Sequence, residues 1–417
     1  MPTTKRSSAA KKRSSVSRPG RPGSQRGGGA SARTAAPPRG FGRLLYGTIA
    51  VLLVLTGGLA VANFAADPAL VSESTAYRST ADFEVYALQR NLELNADGEK
   101  TPDTIRGDTV SGASERAIVF SAPRIQEFVA LPGFLAVATL GEDDTSTLEI
   151  VSLTEGTRHS VRLPAAGRVE NLRADPAGTL IGFSFTAADP AAGSWRSLFT
   201  VDVTARTEAP REVAGLNGEP ISAWNLLFVP DTGSLVVQTD DRSIFLVDVQ
   251  GPGTVSPLGQ HAEMLGFIPG TSTLAVADAT SNSTIDLTDG TVAELRLRPT
   301  EQGPDAFEGK TVVLDTAGRY ARVISEYDQG VETSVVTVTD QAGSAVLFQP
   351  EAGWSRIGDL CVSPDGRSLS VETLPADAAG DGYPNLLAFS PVRTVVVDLE
   401  TGRTTRTLAG FLSDWCR

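Results

Sequence analysis

Six times between residues 132 and 371, a turn signal is followed at once by a short apolar run rich in β-formers. Pro132-Gly133 leads into Phe134-Leu135-Ala136-Val137-Ala138, and Pro176-Ala177-Gly178 into Leu180-Ile181-Gly182-Phe183. Pro230-Asp231-Thr232-Gly233 precedes Leu235-Val236-Val237, and Pro269-Gly270 precedes Leu274-Ala275-Val276-Ala277. Asp315-Thr316-Ala317-Gly318 precedes Ala321-Arg322-Val323-Ile324, and Pro364-Asp365-Gly366 precedes Leu369-Ser370-Val371. The turn glycines lie 45, 55, 37, 48 and 48 residues apart. A second element recurs downstream as Val201-Asp202-Val203, Val247-Asp248-Val249 and Val397-Asp398-Leu399, with Val151-Ser152-Leu153 as a variant.

Each repeat thus holds several short strands cut by Gly, Pro and Asp turns, without helical periodicity. A period near 40–50 residues with about four strands is that of a β-propeller blade. One blade cannot bury both faces alone, whereas blades in a ring cover each other and leave only short edges. A pair of β-sandwiches would also give regularly spaced strands. The repeat length and the doubled motif favour the ring. The expectation is an all-β, six- or seven-bladed propeller over residues 116–417, with residues 83–120 able to supply strands for a further blade.

The chain's two cysteines, Cys361 and Cys416, sit in matching contexts. Gly353-Trp354-Ser355-Arg356-Ile357-Gly358-Asp359-Leu360-Cys361 opens the last full repeat, and Gly410-Phe411-Leu412-Ser413-Asp414-Trp415-Cys416 ends the sequence. The second stretch reads as the first strand of a blade with no continuation, so in a closed ring it completes the first blade. Cys361 and Cys416 are then expected in the same strand of adjacent blades, joined by a disulfide. Two buried thiols are the other reading.

Upstream of the repeats the charge is divided. Residues 1–43 carry eleven Lys and Arg and no acid, while the remainder holds 25 bases against 49 acids, a balance of −24. The first stretch is rich in Ser, Gly, Pro and Ala, which cannot bury enough apolar surface to order itself, and is expected to be a disordered cytoplasmic tail. Residues 44–66 contain no charged side chain. As a helix they would extend about 34 Å, enough for a hydrocarbon core of about 30 Å. Arg39 and Arg43 precede them and Asp67 and Glu73 follow, so the positive-inside rule leaves the acidic part outside the cell. Ala60-Val61-Ala62 keeps a cleaved signal peptide open as an alternative. Either way the same domain is exported, which suits a disulfide. Residues 67–115 are expected to form a neck. Val85, Leu88 and Leu92 share a helical face within 81–95, and 98–114 reads as a polar linker.

Reactive constellations are sparse. The two histidines, His159 and His261, belong to no G-x-S-x-G or H-E-x-x-H setting. His261 opens a repeat near the expected ring axis and reads as a strand residue or a channel ligand. Carboxylates cluster at Glu142-Asp143-Asp144, at Asp240-Asp241, and at Asp377 with Asp381. Such pairs serve acid–base catalysis or calcium, but here they read as a solvated acidic surface. No catalytic, cofactor-binding or metal residue is assigned, and no cofactor is expected. The acidic bulk disfavours nucleic acid, whose binding needs phosphate neutralisation.

Val362-Ser363-Pro364-Asp365-Gly366-Arg367 with Leu369-Ser370-Val371, then Val395-Val396-Val397-Asp398-Leu399-Glu400-Thr401-Gly402, resembles the repeat of TolB-like and WD-repeat-like bacterial propellers. Elsewhere the S-P-D-G turn decays to D-P-A-G, V-P-D-T-G and I-P-G. The resemblance implies an exported propeller that binds or scaffolds partners. The parent family is soluble and periplasmic, and this chain carries an apparent anchor instead of a second envelope domain, so that role does not transfer. Only five lysines occur, the codon bias of a GC-rich genome such as an actinobacterium's. The expected function is a membrane-anchored, non-catalytic binding or assembly module whose partner is a protein or an envelope polymer. An envelope-glycan enzyme with carboxylates at the channel mouth is the alternative.

Overall fold

The computed structural model describes residues 85–91, 101–108, 117–189, 196–205, 209–230, 232–250, 253–300, 303, 305–328, 331–380 and 389–410. Among them seven antiparallel blades succeed one another along the chain, with one further two-stranded sheet, and no helix occurs. Blade 1 has three strands, β1 (Val85–Gln89), β2 (Asp103–Asp108) and β3 (Ala117–Ala122). Blade 2 is β4 (Ile125–Leu131), β5 (Phe134–Leu140), β6 (Ser146–Ser152) and β7 (Arg158–Val161). Blade 3 is β8 (Gly167–Ala174), β9 (Leu180–Ala187), β10 (Ser197–Asp202) and β11 (Arg211–Glu212). Blade 4 comprises β12 (Asn225–Phe228), β13 (Leu235–Gln238), β14 (Ser243–Val247) and β15 (Val255–Gln260). In blade 5 the strands are β16 (Glu263–Phe267), β17 (Thr273–Ala277), β18 (Asn282–Asp286) and β19 (Val292–Glu294). Blade 6 holds β20 (Ala306–Val313), β21 (Tyr320–Asp328), β22 (Val331–Thr339) and β23 (Ser344–Phe348). Blade 7 starts with β24 (Arg356–Val362) and β25 (Ser368–Leu374). A small hairpin, β26 (Ala379–Gly380) with β27 (Phe389–Ser390), interrupts it before β28 (Arg393–Asp398) and β29 (Thr404–Ala409).

The strands alternate in direction, so every blade has two ends. The first-to-second and third-to-fourth strand connections lie at one end, here the turn face. The second-to-third connections and the passages between blades lie at the other, the loop face.

The core lies between blades, as the repeat logic requires. Val129, Leu148 and Ile150 of blade 2 pack with Leu172, Ile181 and Phe183 of blade 3. Leu88, Ile105 and Phe120 of blade 1 share a cluster with Leu135 and Val137 of blade 2 and with Leu374 and Val392 of blade 7, so the ring is closed. Leu135, Ile181 and Leu360 are fully buried, and truncating such a residue to Ala costs about 2–5 kcal/mol. Five first strands carry a β-bulge, between Ile125 and Glu127, Glu170 and Arg173, Met264 and Gly266, Glu308 and Thr311, and Ile357 and Leu360.

The turn face explains the repeated motif. Ser363 Oγ donates to Asp365 Oδ1 at 2.6 Å and accepts from the Ser368 amide at 3.0 Å. Gly366 takes φ +69°, a conformation that glycine adopts without cost. Where S-P-D-G decays to D-P-A-G, Asp175 stands in the serine's place. Its Oδ1 accepts from the amides of Thr179 at 2.7 Å and Leu180 at 2.6 Å. Asp315 accepts from Arg319 N at 3.0 Å in the same way. The aspartates of the second element cap the next turn. Asp202 accepts from Thr204 N at 2.8 Å, Asp248 from Gln250 N at 3.1 Å and Asp398 from Thr401 N at 2.7 Å. In blade 5 Asp286, which the sequence pattern did not single out, accepts from Thr288 N at 2.8 Å. Hydrogen bonds from the Thr204 and Thr401 hydroxyls hold the Asp202 and Asp398 carboxyls below the usual range. A Cβ on Gly366 of blade 7 would lie only 2.9 Å from the Cβ of Pro269 in blade 5. Those two turns meet past blade 6.

Two expectations are corrected. The stretch around Val85 and Leu88 is the strand β1, not a helix. Val85, Tyr86, Ala87 and Leu88 are all buried, because the strand is covered on both faces. Residues 103–108, read as polar linker, form β2, so the first blade begins well upstream of residue 116. The tail 1–43, the segment 44–66, most of the neck and Phe411–Arg417 with Cys416 lie outside the described residues. Among the described residues no helix is long and apolar enough to cross a membrane.

Candidate functional site

The loop face does not repeat from blade to blade. Its connections carry ion pairs and aromatic groups that reach across blade boundaries. Glu127, in the bulge of β4, is buried. Its Oε1 accepts from Asn171 N at 3.2 Å and its Oε2 from Leu172 N at 2.7 Å, both on β8 of the next blade. Asn171 has φ +55°, which turns two successive amides toward one carboxylate. Its Nδ2 donates onward to the carbonyl of Trp224 in blade 4 at 2.9 Å. Burial raises the Glu127 carboxyl above the ordinary range, against the lowering effects of Arg173 and the two amides.

Next to this line stands Arg196. Its guanidinium lies 3.1 Å from Glu170 and 3.2 Å from Asp240, and 4.9 Å from the ring centroid of Trp224. Ser222 donates to the other Asp240 oxygen at 2.5 Å. Trp224 is thereby fixed from below by its backbone and from one side by a cation, yet remains 57% exposed. On blade 6 the hairpin β21–β22 is the longest among the described residues, nine residues in each strand. At its loop-face end Phe307 and Tyr327 stack with centroids 5.5 Å apart, and Val331, paired with Asp328, is exposed on the opposite face of the sheet. Of the seven large apolar side chains exposed among the described residues, Leu216, Trp224, Phe307, Tyr327 and Val331 lie on the loop face. Exposed apolar groups gathered on one face mark interaction surfaces.

The sequence-derived candidates disperse over the ring. His261 lies between β15 and β16 on the loop face, with Nδ1 3.0 Å from Asp278, and its hydrogen bond lowers the Asp278 carboxyl. The His261 carbonyl accepts from Gln238 Nε2 at 2.9 Å, which ties blade 4 to blade 5. His159 is on β7, paired opposite Ile150. Asp143 binds the amide and hydroxyl of Thr145, and Asp241 the Thr239 hydroxyl and Ser243 amide, each closing its own loop. Asp144 is 3.6 Å from Arg124. Asp381 lies outside the described residues. No group of three His, Cys, Asp or Glu is brought together among the described residues. Cys361 lies on β24, and no free thiol occurs among those residues. Sequence reasoning missed Glu127, Arg196, Trp224 and the Phe307–Tyr327 pair.

No protein-family model and no curated protein matches this chain. Solved structures do. A prolyl endopeptidase is similar at 10% identity and TM-score 0.52, over 79% of this chain and 50% of that one. TolB from Acinetobacter baumannii is similar at 13% identity and TM-score 0.35, over 79% and 64%. An oligogalacturonate lyase in complex with manganese is similar at 11% identity and TM-score 0.48, over 78% and 96%. This chain thus spans about half of the endopeptidase and under two thirds of that TolB. Fold alone is shared at such identities, and folds host unrelated activities. The described residues form an all-β, seven-bladed propeller, similar in fold to structures that include TolB proteins and enzymes.

Proposed function

We propose that this protein is a membrane-anchored, extracytoplasmic propeller that binds its partner on the loop face and does not transform it. The observation that carries the reading is that five of the seven large apolar side chains exposed among the described residues lie on that face, with Trp224 at blade 4 and Phe307 stacked on Tyr327 at blade 6. Trp and Tyr dominate binding energy because they bring large area at low entropic cost. The partner is a protein or an envelope polymer. The −24 balance beyond residue 43 favours cationic groups on it. Three loop-face carboxylates with partners support the reading: Glu127 is held by two backbone amides, and Glu170 and Asp240 by Arg196.

The raised Glu127 carboxyl favours one rival, an enzyme acting on envelope glycans, since raised carboxyls serve as general acids. Both readings are tested by placing a photo-crosslinking residue at Trp224, Tyr327 or, on the opposite face, Val292 in the full-length chain in cells. One common adduct from the first two positions and none from Val292 is the expected result. Adducts from Val292 alone would refute it. So would turnover of envelope glycan that Glu127→Gln abolishes.

A further inference from the structure

Away from the loop-face aromatics, a cleft of about 250 Å³ separates blade 6 from blade 7. Leu347 and Phe348 of β23 form one wall and Val395 of β28 the other, while Arg393 and Trp354 also line it. The Arg393 guanidinium carbon lies over the indole of Trp354, 3.9 Å from the ring centroid. Its backbone is fixed by pairing with Thr373 on one side and Ala409 on the other. The nearest carboxylate, Glu351, is 3.9 Å away and 87% exposed, too far for a hydrogen bond. The cation is thus held by its face, while its N–H edge meets only Glu351, itself on the cleft's lining, in a loose pair at 3.9 Å.

A guanidinium fixed by stacking has already lost its rotamer freedom, so a two-point bond to a carboxylate costs little further ordering. The volume lies below the usual range for drug-sized ligands, about 300–1,000 Å³, which limits the occupant's size. Leu347, Phe348 and Val395 supply apolar wall segments beside the polar Gln349, Thr373 and Thr407.

We propose that this cleft binds a small organic carboxylate, its head paired with the edge of Arg393 and its apolar stem between Leu347, Phe348 and Val395. The carboxylate can belong to a free acid or to the C-terminus of a peptide. This site is independent of the loop-face reading and stands or falls separately.

The test is calorimetric titration of the full-length chain with N-acetyl-leucine, its methyl ester, acetate, and a tetrapeptide ending in leucine with a free or an amidated terminus. N-acetyl-leucine or the free-ended peptide is expected to bind at least tenfold tighter than the ester, the amide or acetate, and the tighter of the two identifies the source. Arg393→Gln is expected to lose that preference, and Arg393→Lys to recover part of it. Thr404→Phe, which fills the cleft from an exposed position on β29, is expected to weaken binding with Arg393 intact, and decides the matter if Arg393→Gln unfolds. Equal binding of acid and ester overturns the proposal, as does unchanged binding by Thr404→Phe, or no binding of any acid at millimolar concentration.

Discussion

The two faces of the ring are built on different rules. On the turn face the same device returns blade after blade: a small polar side chain accepts its own loop's amides, as Ser363, Asp175 and Asp315 do. These side chains stay within their own turns, although Arg211 and Arg319 cross to the carbonyls of Val249 and Leu399 in the next blade. On the loop face some polar groups, such as Asp143 and Asp241, also close their own loops, but others reach outward. Glu127 serves blade 3, Asn171 serves blade 4, and Glu332 holds Arg356 of the next blade at 3.1 Å. There, too, Trp224 and Tyr327 stand in solvent. Local satisfaction leaves nothing to offer a partner, whereas cross-blade satisfaction fixes side chains in place and leaves their outer surfaces available.

Four experiments would break or sharpen this contrast. The largest effect belongs to neither face but to the ring's seal. If Cys361 and Cys416 are bonded across the closure, a loop of about 55 residues is constrained, worth about 4 kcal/mol in the chain-entropy model. Reduction, or Cys361→Ser, should lower Tm by on the order of 10 °C. A full-length chain that titrates two thiols without reductant would show the seal to be absent.

Asp175→Ala comes next. It strands the Thr179 and Leu180 amides beneath a buried side chain and should cost about 2–3 kcal/mol, read by thermal or denaturant unfolding. A loss under ~0.5 kcal/mol would mean that the turn face is not held by these caps.

Trp224→Ala and Tyr327→Ala should do the reverse: partner affinity falls about tenfold, or ~1.4 kcal/mol, while Tm moves by no more than a degree or two. Strong destabilisation by either variant would place those rings in the fold rather than at an interface.

The smallest effect is a pH signature. Burial raises the Glu127 carboxyl above its unfolded value, so the native state holds its proton more tightly. Wild-type stability from this group is present at acid pH and declines as pH rises from the unfolded toward the folded value. Glu127→Gln should therefore gain on wild type as pH rises through that window. A difference in Tm independent of pH would show that the carboxyl is not raised.

How much of this was readable in advance follows the same division. The turn face was legible because its chemistry is local: Asp202, Asp248 and Asp398 recur in a fixed frame, and each bonds to a residue two or three places on. Glu127 was not, since its partners lie 44 and 45 residues away and a lone acid in Ile-Gln-Glu-Phe-Val reads as a solvent-facing strand position. Trp224 and Arg196 occupy connections that match nothing elsewhere in the chain. β1 misled for a related reason. Val-Tyr-Ala-Leu is buried on both faces, so it lacks the alternation of a half-exposed strand, and the spacing of Val85, Leu88 and Leu92 imitates a helix.

Gly366 and Pro269 belong to blades 7 and 5, yet a methyl group at position 366 would come within 2.9 Å of the proline's Cβ. Any side chain there would have to push apart two turns that blade 6 separates along the chain, so the residue that has none is what lets them approach.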